Sequence, residues 1–533
     1  MVFLPLLGAA VLMLWPVGKD RDGEGSLKLF ALAISMAVGA LAVWIAIEFD
    51  YDNAGTLQFL RNSEWIEAIN SGYTLGIDGI SLPMILLTVL IVPLCIIYSW
   101  DHFPEPHNPK AFLALILVLE TGMLGTFVAQ DLILFFVFFE VVLLPMFFMI
   151  AVWGGEDRRY ASLKFFLYTL FGSALMLVSF MAVYFLAGDE IGERTFNLIA
   201  LSDWAGAGLA RSTGLWIFGG MFLGFAIKVP MFPFHTWLPD AHTQAPTVGS
   251  VILAAVLLKL GTYGFIRIAI PILPEAAVEW APFIGVLSVI GIIYGALGCL
   301  AQTDMKRLIA FSSVAHMGYV MLGISTLTDF GLNAAVFGMV AHGLITGMLF
   351  FIAGSVKERC HTLEIERLGG LLVQAPRMGW ILGFCTMASL GLPGLAGFWG
   401  EFPAILSAYN PANGLNETLY RVFMVIAALG TVLAAGYLLW LLQRTAFGTP
   451  SDEFANDPAI HDGTKFEYVA WAPLLVLIVV LGFYPNLIFK TSDPAVGNAL
   501  HPCLSVVAED DPGLAADCPA VFELSIPDEA AGG

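Results

Sequence analysis

Runs of roughly 20 residues almost free of charge recur along this 533-residue chain, and they restrict the fold more than any motif does. Such runs belong in a bilayer, where every backbone N–H and C=O must be bonded internally. Only helices and closed barrels satisfy that condition. Barrel strands alternate apolar and polar residues over about ten positions; these runs do not. Only 12% of the residues are charged, about half the usual share for a soluble chain. The reading is an all-α polytopic membrane protein with about 14 transmembrane helices, centred near residues 9, 38, 88, 119, 141, 174, 224, 256, 290, 315, 344, 392, 431 and 479.

The first apolar run has its basic residues, Lys19, Arg21 and Lys28, after it. A secretory signal has the reverse order, so this run is expected to be a retained span. Of the 23 basic residues, fifteen fall on one set of alternate loops, six on the other set, and Lys228 and Lys259 within spans. The bias places the richer set in the cytoplasm and both termini outside. The net charge of −20 lies largely in external loops and the segment after Lys490, which points to no nucleic acid. Cys503 and Cys518 share that external segment, where a disulfide is chemically permitted. No CxxC cluster, Walker loop or nucleophile elbow is present, so chemistry is left to protons, ions or a bound partner.

Seven ionisable residues lie well inside the spans: Glu120, Glu140, Lys228, Lys259, His316, His342 and Glu401. A central lysine or acid costs roughly 2.5–3.5 kcal/mol to insert, and intramembrane charges usually mark an ion or proton route. At ~1.5 Å per residue, Glu140, Lys259, His316 and His342 fall in the middle third of four different spans. Residues at one depth form a row along the membrane plane. Glu120, in LVLETGMLG, has a purely local bonding role as its competing reading. Prolines 230, 233 and 239 interrupt the seventh span beside Lys228, and Pro393 with nearby glycines interrupts the twelfth beside Glu401. Paired broken helices five spans apart run in opposite directions, which predicts two inverted five-helix repeats, spans 4–8 and 9–13. The expected divisions are 1–108 (spans 1–3), 109–270 (first repeat), 271–446 (second repeat), 447–490 (cytoplasmic loop and span 14) and 491–533 (acidic external tail).

The stretches FFEVVLLPMFF, KVPMFPFHTWLPDAHTQAPTVGSVILAAVLLKLGTYG, DMKRLIAFSSVAHMGY, GLPGLAGFWGEF and LGIDGISLP resemble the antiporter-like membrane subunits of proton-pumping NADH:quinone oxidoreductase, respiratory complex I. Within that family the chain is most similar to the subunit M branch, because its twelfth span carries Glu401 where sister subunits have lysine and no long lateral helix follows span fourteen. The resemblance implies an ion pair of Glu140 with Lys228, Lys259 as central proton carrier, His316 and His342 as relays, and Glu401 at the end of the row. His235 and His242 fall in its HTWLPDAH segment, with capping of the broken helix as the other reading. It also implies no cofactor in this chain: flavin, iron–sulfur clusters and quinone belong to other subunits. The implied partners are complex I membrane-arm subunits, especially L and N, together with lipids. The implied location is the bacterial inner membrane, or the mitochondrial one if organellar. A sodium/proton antiporter subunit and a passive membrane scaffold are the competing functions.

Overall fold

A computed structural model describes residues 1–16, 24–455 and 457–510, with side chains to residue 502. Among these residues the chain is mostly helical, and eleven helices are long and apolar enough to cross a membrane. Leu4–Leu14 is a shorter apolar helix. The expected all-helical character has one exception, an antiparallel hairpin of Gln58–Ile66 with Ser71–Ile77. Asn70 turns it in a left-handed conformation that asparagine tolerates. The Cys503–Cys518 pairing lies outside the described residues. Part of the segment expected as a tail is helical instead, since Asn486–Asp510 forms a helix. It is tied down by Asn333 Nδ2 to Asp493 at 2.7 Å and Asn498 Nδ2 to the Gly55 carbonyl at 2.9 Å. Residues 486–508 carry a single acid, Asp493, so most of the negative charge lies beyond them.

Burial divides the helices into two groups. Thr247–Ile272, Met305–Ser325 and Asp329–Cys360 are enclosed along nearly their whole length, whereas Glu24–Glu48 and Glu417–Thr445 leave most of their surface uncovered. Lys259, His316 and His342 all sit on the enclosed helices. Close approach of the Asp329–Cys360 and Ala396–Ser407 helices depends on glycine, because a Cβ on Gly400 would lie 2.6 Å from the Gly338 Cα. That crossing delivers Glu401, the next residue, into the interior.

Both expected interruptions are present. Helix Arg211–Lys228 ends at Lys228, and helix resumes only at Trp237. Prolines 230 and 233 supply no N–H to continue the first helix. Pro376–Ser389 and Ala396–Ser407 are separated by six residues in which Gly391 and Gly394 have φ of +73° and +89°, conformations open chiefly to glycine. Two further irregularities go beyond the expected pattern. The fifth span divides into Leu132–Val141 and Leu143–Trp153; Pro145 leaves the Val141 carbonyl without its helical donor. Thr247–Ile272 contains two π-helical stretches, Leu253–Leu257 and Phe265–Ala269, on either side of Lys259.

Candidate functional site

Lys259 is completely buried. Its ammonium donates to the Ala254 carbonyl at 2.6 Å, in the first π-helical stretch, and lies 2.7 Å from His342 Nδ1. A π-turn displaces the regular i→i+4 bonds, and here the lysine takes up one of the carbonyls. The His342 and His316 rings meet edge to face with centroids 6.0 Å apart. His316 Nδ1 then contacts Glu401 Oε1 at 2.5 Å. Its Nε2 lies 3.0 Å from Ser389 Oγ and 3.3 Å from the Tyr437 hydroxyl. Four of the expected residues therefore form one connected series: Lys259, His342, His316 and Glu401. A small cavity lies beside the last three, lined also by Tyr319, Thr346 and Ser389. The spacing suits proton transfer, directly at the two short contacts and across one water where the rings are 6.0 Å apart.

Glu140 and Lys228 are electrostatic neighbours. No ion pair within 4.0 Å joins them among the described residues, in contrast to the expected contact pair. The Lys228 ammonium instead sits over the Phe139 ring, 4.6 Å from its centroid, a cation–π placement that compensates part of its desolvation. Gly261 brings Lys228 to the Lys259 helix: a Cβ there would lie 2.7 Å from the Phe225 carbonyl oxygen and 3.1 Å from Lys228 Cβ.

The other expected residues stand apart from the series. Glu120 is fully buried and accepts from Ser35 Oγ at 2.8 Å, which ties the fourth span to the second. His242 stacks on Phe350 with both ring nitrogens unpartnered, and neither caps the helix end. His235 packs against Tyr294 and Phe232, with Nδ1 unpartnered.

Two buried charged clusters lie at residues whose loop positions gave no sign of them. Arg359 grips Glu467 through two bonds of 2.7 and 3.0 Å, with His102 at 3.0 Å on the same carboxylate. The Thr464–Glu467 capping box was a readable signal for the acid's position; its partner was not readable. On the opposite side Arg267 pairs with buried Asp78 at 3.1 Å. Ser389 and Tyr437 also escaped notice, since an isolated hydroxyl in an apolar run carries no spacing signal.

The fold and the buried series together define a class: polytopic helical membrane proteins with interrupted spans and a row of ionisable groups in the interior. Residues 129–429 match the family described as "NADH:quinone oxidoreductase/Mrp antiporter, TM", and residues 31–126 match "NADH-ubiquinone oxidoreductase chain 4, amino terminus". The chain belongs to this NADH:quinone oxidoreductase/Mrp antiporter family. It is 41% identical to NADH-quinone oxidoreductase subunit M of Rhodobacter capsulatus, over 96% of this chain and 98% of the relative. It is 40% identical to subunit M of Rickettsia prowazekii, over 94% and 97%. Among solved structures, a chain of respiratory complex I from Thermus thermophilus with bound NADH superposes with a TM-score of 0.82 at 28% identity, covering 94% of this chain and 98% of that one.

Proposed function

We propose that this chain is the subunit M-type proton-translocating subunit of NADH:quinone oxidoreductase, moving protons through its buried row while electron transfer from NADH to quinone occurs in other subunits. One observation carries the reading: Lys259, His342, His316 and Glu401 form a near-continuous series inside the most enclosed helices. Flavin, iron–sulfur clusters and quinone are assigned to other subunits, and L and N to the flanking positions. The two broken spans support fourteen crossings: the eleven long helices, Leu4–Leu14 and the two interrupted ones. They also support inverted repeats of spans 4–8 and 9–13, with the divisions given above. The basic-residue bias supports external, periplasmic termini.

Moving one proton against 100 mV takes about 2.3 kcal/mol, so a carrier must change its proton affinity by roughly 1.7 pKa units. Lys228 is held near Glu140 without an ion pair to it, so a side-chain movement of either residue closes or widens that gap. Either movement changes the field at Lys259, one helix away across Gly261. Charge changes in a neighbouring subunit drive that movement, and protons pass along the series towards Glu401. The Mrp complex from Dietzia sp. shares the fold (TM-score 0.80, 21% identity), and a sodium requirement for transport would favour the antiporter reading. The test is Lys228→Ala in native membranes, with assembled complex, NADH:quinone turnover and proton uptake measured together. Assembly retained with turnover and uptake falling in step supports the proposal; all three unchanged refutes it.

A further inference from the structure

The twelfth span is divided, and one imidazole touches both of its halves. Ser389 is the last residue of the first half-helix, Pro376–Ser389, and Glu401 lies on the second, Ala396–Ser407. His316, from the Met305–Ser325 helix, points Nε2 at Ser389 Oγ (3.0 Å) and Nδ1 at Glu401 Oε1 (2.5 Å). The Tyr437 hydroxyl, from the Glu417–Thr445 helix, approaches the same Nε2 at 3.3 Å. Three helical segments besides its own thus converge on one ring. Gly391, at φ +73°, allows the chain to turn in the gap, where a Cβ would sit 3.4 Å from Glu401 Oε2.

A lone imidazole in an apolar interior would carry its proton on either nitrogen and could turn about its side-chain bonds. Here two hydroxyls lie within bonding distance of Nε2, and a ring nitrogen so engaged as a donor fixes which nitrogen remains for exchange. We propose that Ser389 and Tyr437 are positioning residues that keep the Nε2–H of His316 engaged and turn Nδ1 to Glu401, so that the ring latches the two half-helices together and hands on to Glu401, from Nδ1, the proton it receives along the row. This rests on the row proposed above. In the transfer the Nδ1–H bond breaks and an O–H bond forms on Glu401. Imidazolium and carboxylate become neutral imidazole and neutral acid, while Nε2–H stays bonded to the hydroxyls. The remaining titratable groups facing the ring are His342, from the Asp329–Cys360 helix, and Tyr319, one turn along its own helix. Tyr319 already donates to the Ala427 carbonyl, so it is committed elsewhere. Tyr437 is not so committed: its other neighbour is the Ser312 hydroxyl, to which it can donate while accepting from Nε2.

The experiment compares the assembled complex carrying Ser389→Ala with Tyr437→Phe, Ser389→Thr alone, and His316→Ala, each read as proton uptake per NADH across a pH series. Bonds to a charged group exceed neutral ones by an amount equivalent to roughly 0.5–1 pH unit. The double variant is therefore expected to move the half-point of uptake by about that much and to lower the ratio of uptake to turnover. Ser389→Thr, which keeps a hydroxyl, is expected to restore the native profile. A superimposable profile in the double variant, with uptake abolished by His316→Ala, overturns the positioning role and leaves the row standing. Normal uptake in His316→Ala overturns the row itself. If the double variant does not assemble, Tyr437→Phe alone, which removes one oxygen atom, takes its place with the same two outcomes.

Discussion

Gly261→Ala tests the coupling between Lys228 and Lys259 without altering any charge. The added methyl would meet the Phe225 carbonyl oxygen at 2.7 Å, Val229 Cγ2 at 2.8 Å and Lys228 Cβ at 3.1 Å. Ordinary contact begins at 3.4 Å, so the two helices must part by up to 0.7 Å. Overpacking of this kind costs about 1–3 kcal/mol, which a large buried assembly survives. Function is more sensitive, because misplacing reacting groups by ~1 Å can cost about a hundredfold in rate. Proton uptake and coupled turnover are expected to fall by roughly tenfold or more, with the complex still assembled. The control is Gly347→Ala, also within the membrane, whose Cβ would meet its nearest atom at 3.7 Å and fit without movement. Turnover and uptake of both variants, normalised to assembled complex on native gels, decide the matter. Native activity in an assembled Gly261→Ala complex would show that the spacing of the two lysines does not matter, and the electrostatic link between them would be wrong.

Glu140→Gln removes the charge that Lys228 senses while keeping the side chain's shape, so uptake and turnover should fall together; intact pumping would remove Glu140 from the mechanism. Glu401→Gln leaves His316 a bonding partner but no proton acceptor, and uptake should drop on the order of 10²-fold with assembly unchanged on a native gel. Arg359→Met strands the buried Glu467 carboxylate and should cost about 3–5 kcal/mol, read as lost assembly. Pairing it with Glu467→Met should recover much of that loss. Outside the membrane, the Arg367 guanidinium bonds Glu453 and holds its carboxyl below the ordinary value of 4.5. A depressed pKa contributes stability above the ordinary value that is lost as pH falls through the folded-state one. Hydrogen exchange in residues 447–455 should therefore quicken, relative to the intrinsic rate, on acidification below 4.5; Arg367→Gln should abolish that acid-dependent step.

Much of this was legible because hydrocarbon makes each polar residue expensive: seven ionisable positions and two proline interruptions could be read without contacts. The connections could not. His316 and Glu401 meet although they lie 85 residues apart, and nothing at either position announces its partner. The π-helical stretch LAAVL contains no proline or glycine to mark its register change, which coincides with Lys259 bonding the Ala254 carbonyl. The divide at Val142 did have a signal in Pro145, read only as part of a family motif. These irregularities follow a rule that explains their placement. Each lysine or glutamate of the row sits within a few residues of broken or distorted helix: Glu140 before Val142, Lys228 at a helix end, Lys259 between π-turns, and Glu401 against the gap at Gly391. His316 and His342 lie on uninterrupted helices. A lysine or glutamate that carries charge in the membrane needs carbonyls, amides or water beside it, which a regular helix withholds. A histidine can rest neutral between transfers and bears no such requirement. The backbone is opened where charge must reside and left closed where protons only pass.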